Sequence, residues 1–212
     1  MVVASTSISG QERIYWSSGR TNNLGVVIDG AGNILPSEFF ADFKDANGNT
    51  QQAFQPHTRS TGQNQVQIYE EWFRAKTAVY RFVRRDQTVK DNRLLPLGWS
   101  SAGPDPVHLN GVFLKATQPD GEALNDPDFL SPAGHDQIQY RIALPPNTPA
   151  NVEVRATLYS QSIPPYYLRD RFQAVPGGTS TQRLYYMTSR TSLQGPTANW
   201  KLKLASASAF PR

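Results

Sequence analysis

Alternation of apolar and polar side chains between Asp136 and Ser160 constrains this chain more than any other feature. Ile138, Tyr140, Ile142 and Leu144 alternate with Gln137, Gln139 and Arg141, the period of a strand with one buried face. After the turn-rich PPNTPAN, Val152, Val154, Ala156 and Leu158 alternate with Glu153, Arg155 and Thr157 in the same way. The two runs predict a long antiparallel hairpin with a non-minimal loop. Residues 163–172, IPPYYLRDRF, carry three aromatics and two prolines. Because proline cannot donate to a sheet ladder, Pro164 and Pro165 are expected to carry the chain across the end of the sheet.

Other segments add to an all-β reading. ERIYWSSG predicts a short strand ending at Gly19, and Asp29–Asn33 carries glycine turns. DANGN at 45–49 is a further turn, with Asn47-Gly48 a strong hairpin signal. QVQIYEEWF (65–73), TAVYRFVRR (77–85), GVFLKAT (111–117), QRLYYMTS (182–189) and NWKLKLAS (199–206) all read as strands; 70–85 would also tolerate a helix, but aromatic and β-branched residues dominate there and favour strand. In the last, Trp200, Leu202 and Leu204 are expected to face in, and Lys201 and Lys203 out. DNRLLPLGW (91–99) is apolar and proline-broken, which suits a plug at the end of a core. The count and spacing of strands predict an antiparallel β-sandwich, Ig-like or jelly-roll-like, with long loops. With no repeat and no break in composition, the expected organisation is an extended segment at 1–14, one sandwich domain at 15–206 and a tail at 207–212.

Composition excludes several functions. The 212 residues contain no cysteine, which removes disulfides, thiolate nucleophiles, cysteine zinc sites and covalent haem attachment. The net charge is +4 and the charged fraction 18%. Mean hydropathy is −0.51. The densest basic cluster, Arg81, Arg84, Arg85 and Lys90, is interleaved with Asp86 and Asp91, unlike a nucleic-acid footprint, so no nucleic-acid partner is expected. No apolar run approaches the ~18–20 residues of a membrane helix. MVVASTSISGQER has neither a charged n-region nor an apolar h-region, so it is not read as a signal peptide. Either the chain is cytosolic or its first residue here is not the start of its gene product.

No catalytic constellation stands out. His57, His108 and His135 are far apart and sit among turns, where a surface or capping role is the simpler account. A G-x-S-x-G elbow is absent. Glu70 and Glu71 are neighbours on a strand and point to opposite faces, so they cannot act as a glycosidase pair. Tyr166, Tyr167, Tyr185 and Tyr186 could stack on sugars, although one of each pair is more simply core. Asp42, Asp45, Asn47 and Asn49 have the alternate spacing of a calcium loop, and Asp126 with Asp128 offers another pair of oxygen ligands. The loop lacks the distal glutamate of an EF-hand, since Ala53 and Phe54 stand where it would fall.

Six segments together carry a resemblance: QVQIYEEWF, KDNRLLPLGW (90–99), GHDQIQYRI (134–142), LYSQSIPPYYLRDRF (158–172), TQRLYYMTSR (181–190) and NWKLKLA (199–205). In this order, with DPDF at 126–129 between the second and third, they resemble the C-terminal β-rich region of bacterial multihaem c-type cytochromes. KDNRLLPLGW is the most specific piece; a weaker likeness starts at Tyr15. The likeness implies a periplasmic or extracellular, non-catalytic module that scaffolds or assembles with a multihaem cytochrome in electron transfer. Two departures matter. The haem-bearing part is missing, and so is the glycine–histidine–lysine motif around the sandwich's first strands. The implied partner is a haem-bearing chain, or a second copy, donating a strand to an open edge; alternatively residues 1–20 supply that strand. The residues expected to be structural are Asp91, Asn92 and Arg93 in the plug, Pro164 and Pro165 at the crossing, and Trp99 and Trp200 in the core. A calcium-assisted carbohydrate-binding or adhesion module, using the 42–49 turn and surface tyrosines, is the competing expectation.

Overall fold

The computed structural model describes residues 1–22, 25–33, 35, 58–75, 78–80, 87–101, 118–119, 121–163, 168, 172, 175–190 and 200–210. These are mostly sheet, with one α-helix, α1 (Thr179–Ser189). The chain divides into two compact units. One comprises 1–37, 62–66 and 142–212, the other 38–61 and 67–141.

The first unit is built on a four-stranded antiparallel sheet. Its strands are β1 (Val2–Ile8), β2 (Gln11–Ser18), β10 (Glu153–Ser160) and β11 (Leu202–Ala209), in the order β11-β10-β1-β2. β1, from the segment expected to be extended, is thus an inner strand of this sheet. Ser9 and Gly10 close the β1–β2 hairpin in two residues, both at positive φ (51° and 79°). That is the turn whose twist matches the flanking strands, and glycine adopts it without a Cβ penalty. Val2, Val3, Ala4, Ser5 and Thr6 are all buried, so the first part of β1 is covered on both faces. Trp16, Val66, Val152 and Leu168 are buried in the same unit. A bulge between Ala4 and Ser5 separates buried Trp16 from exposed Ile14 along β2. A two-stranded ribbon, β3 (Arg20–Thr21) with β4 (Val27–Ile28), and a turn closed by Asp29 and Asn33 follow.

The second unit pairs β5 (Arg59–Ser60) in parallel with β9 (Gln139–Tyr140). Beside it, β6 (Glu71–Ala75) pairs with both β7 (Ala78–Tyr80) and β8 (Gln87–Asp91). A 3-10 helix at Gly121–Asn125 leads into a turn whose Phe129 is only 1% exposed.

Several expectations change. The 138–158 hairpin does not form: Gln139–Tyr140 joins β5 in one unit, while Glu153–Ser160 joins β1 and β11 in the other. Alternation marks a strand but carries no information on its partner. Residues 182–189 are helical. Gln182, Arg183, Leu184 and Met187 are good helix formers, and the Thr188 and Ser189 hydroxyls bond back to the Leu184 and Tyr186 carbonyls. Arg190 lies 4.3 Å over the Tyr186 ring one turn earlier. In β11 the expected facing is reversed at its start. Lys201, just before β11, is buried, whereas Leu202 and Leu204 are exposed. The plug segment buries Asp91 and Asn92 but leaves Leu94 and Leu97 exposed. Trp99 and Trp200 are half-buried rather than core-filling. Strand 111–117 and the turn at 45–49 lie outside the described residues.

Candidate functional site

Two features stand apart from routine packing: an acidic cluster in the second unit and the free edge of β11 in the first. The acidic cluster begins where the 3-10 helix ends. Carboxylate oxygens of Asp126, Asp128 and Asp136 lie within 4.8 Å of one another. The turn that brings them together is locally encoded. The Leu130 N–H donates to the Asp126 carbonyl (3.0 Å) and the Ser131 N–H to the Asp128 carbonyl (3.2 Å). Gly134, at φ 67°, passes so close to the 96–99 segment that a Cβ there would stand 2.7 Å from the Leu97 nitrogen. The Gly98 N–H donates to the Pro132 carbonyl at 2.7 Å, closing the same contact.

Hydrogen-bond donors hold the cluster together against the repulsion of its carboxylates. The Gln137 N–H is shared between Asp128 Oδ2 (2.7 Å) and Asp136 Oδ1 (2.8 Å). The Tyr69 hydroxyl donates to Asp136 Oδ2. Burial of that phenol, together with its bond to Asp136, pushes the Tyr69 pKa up. Asp126 is buried, and burial raises its pKa, with its hydrogen bond to Asp128 acting in the same direction. A buried carboxyl near two others favours the protonated form or a bound cation. Chemically, the cluster can share a proton or offer hard oxygen ligands.

The β11 edge offers backbone instead of charge. β11 is hydrogen-bonded to β10 along its length, from Val154↔Ala209 to Ser160↔Leu202. It ends the sheet order on that side among the described strands. All eight of its residues are exposed.

Asp91, Asn92 and Arg93 come together on the second unit. Asn92 is 1% exposed; its Nδ2 donates to the Ile68 carbonyl and its Oδ1 accepts from the Glu70 N–H, both at 2.8 Å. Arg93 makes a two-pronged bond to Asp91 (3.0 and 2.7 Å) and reaches Glu71 at 3.2 Å. His135 is exposed on the turn beside the acidic cluster. Asp42, Asp45, Asn47, Asn49, His57, His108, Pro164 and Pro165 lie outside the described residues. Asp136 and Tyr69 were not singled out from the sequence as ligands. The one signal was the aspartate of GHD eight residues beyond Asp128, a separation that only a folded turn closes.

Comparison with protein-family models, curated proteins and solved structures finds no match to this chain. No helix among the described residues is long and apolar enough to cross a membrane.

Proposed function

We propose that the chain is a non-catalytic β-sandwich module of the periplasm or cell surface that assembles with a haem-bearing multihaem cytochrome chain in electron transfer. Assembly takes place by addition of a partner strand to β11. One observation carries the reading: β11 is paired on one side only among the described strands and exposes every residue, Leu202 and Leu204 included. Natural sheets blunt such edges with charge, proline or cover. Here Lys203 is the single charge in LKLASASA, which leaves a template for strand addition. The likeness of the six segments to the cytochrome region supports the choice of partner.

The test is solution mass and visible absorption of the chain isolated from its native source, alongside a Leu202→Lys/Leu204→Lys variant. Wild type is expected to exceed one chain in mass and to show a Soret band, and the variant to keep the circular dichroism and lose the partner. A colourless wild-type monomer, or a variant that assembles unchanged, overturns the reading.

The acidic cluster favours a second reading, a calcium-assisted carbohydrate-binding or adhesion module. Calcium held by Asp126, Asp128 and Asp136 would stabilise the fold by about 2.7 kcal/mol at about 100 times its Kd. Calcium is then expected to raise the Tm of wild type but not of Asp126→Asn. Indifference of the wild type to calcium and chelator disposes of this reading.

A further inference from the structure

A second kind of site lies at the short parallel bridge of the second unit. Arg59 stands opposite Gln139 and Ser60 opposite Tyr140, and the pairing continues through the Arg141 N–H to the Ser60 carbonyl at 2.8 Å. Side chains two residues apart on a strand leave the same face about 6–7 Å apart. Gln139 and Arg141 therefore share a face with Arg59. These three and Tyr140 line an open cavity of about 350 Å³, inside the ~300–1,000 Å³ range of small-molecule sites.

Two guanidiniums and one amide supply donors around it. Arg59 Nε donates to Gln139 Oε1 at 3.0 Å. That bond orients the guanidinium fork and engages the amide through its oxygen, leaving its NH2 as a donor. Among the described residues, neither the Arg59 nor the Arg141 guanidinium forms an ion pair. The nearest carboxylate along the strand, Asp136, is held by the Tyr69 hydroxyl and the Gln137 N–H. A lone surface arginine is ordinarily just solvated. Two on one face of a concavity, one with its fork oriented by a neighbour, match the bidentate geometry of phosphoryl and carboxyl groups.

We propose that the cavity lined by Arg59, Gln139, Tyr140 and Arg141 binds a small polyanion, a ligand whose phosphoryl or carboxyl groups carry at least two negative charges. Both guanidiniums pair with its oxygens, and the Gln139 NH2 donates to a third. The site shares no residue with β11 or with the acidic cluster, although the Asp136 charge reaches Tyr140.

Isothermal titration of the full chain with pyrophosphate and with malonate at low ionic strength tests it. Saturable binding of at least one probe is expected, weakened by added salt; whichever binds assigns the phosphoryl or the carboxyl class. Arg59→Gln with Arg141→Gln together is expected to weaken binding at least tenfold. Arg141→Gln alone, which keeps the Arg59–Gln139 bond, is expected to weaken it severalfold. Arg183→Gln, an equal loss of charge on an exposed position of α1, is expected to leave Kd unchanged. Arg59, Arg141 and Arg183 are exposed, so a Tm equal to wild type confirms that the variants fold. The proposal is overturned if neither probe binds saturably, if the double variant binds as tightly as wild type, or if Arg183→Gln costs as much as the double change.

Discussion

Asn92 shows how one side chain can replace a length of ladder. Ahead of β6, a single buried amide donates to the Ile68 carbonyl and accepts from the Glu70 N–H, while the Asn92 N–H donates to the Glu70 carbonyl at 3.2 Å. Asn92→Ala removes both side-chain bonds from a buried position, each contributing about 0.5–1.5 kcal/mol net. The expected loss is about 1–3 kcal/mol, read by urea unfolding. Asn92→Asp retains the acceptor but sets a carboxylate against the Ile68 carbonyl, and is expected to be no milder. Lys201 acts through charge. Burial lowers its pKa from 10.5 to about 8, although its ammonium lies 4.4 Å over the Tyr159 ring, which favours the cation. A base with a lowered folded pKa binds fewer protons folded than unfolded, so its penalty is full below about 8 and fades as pH rises towards 10.5. Lys201→Met is therefore expected to raise stability at pH 7 by about 1–3 kcal/mol. The gain should shrink towards pH 10.5, as a pair of Tm–pH curves would show; equal gains at both ends would refute the linkage.

At the scale of elements, local chemistry and tertiary partners compete. β1 and β2 follow from alternation and a two-residue Ser9-Gly10 turn, a local device that needs no distant contact. α1 is different. Its apolar residues suit a strand, yet none is buried and the helix is sustained by its own back-bonded hydroxyls, the Tyr186–Arg190 stack and an edge-on contact between Phe172 and Tyr185 at 5.1 Å. β11 carries the assembly proposal at this scale. Hydrogen exchange adds a readout independent of mass: partner addition is expected to protect amides of β11 and leave the exchange of the Ser9-Gly10 turn unchanged. Protection confined to other strands would place the interface elsewhere.

At the scale of the molecule, a chain read as one sandwich divides into two units, and the run from Asp136 to Ser160 is split between them after Arg141. Nothing in its alternation signals that division. Both halves have strand periodicity, but Gln139–Tyr140 finds β5 some eighty residues earlier and Glu153–Ser160 finds β1 and β11 at the two ends of the chain. The candidate sites share this property. Asp126 and Asp128 were legible as a pair of oxygen ligands because they are neighbours, while Asp136 and Tyr69 required the Gly134 turn and the packing of the 67–70 segment. Arg59 and Arg141 were unremarkable in sequence, eighty-two positions apart, and became a pair only through a parallel bridge.

By itself, then, the sequence determined the predominance of strand, the sheet segments around Trp16 and Val154, the turns at glycine, and the exclusion of cysteine chemistry. These depend on side-chain periodicity and on backbone angles that one or two residues control. Only the tertiary structure decided which strands pair, that β11 is exposed along its whole length, that 179–189 is a helix, and which carboxylates and guanidiniums meet. Pairing energy comes from backbone groups common to every residue, so the choice among partners is made by global packing and chain closure, which no local window contains.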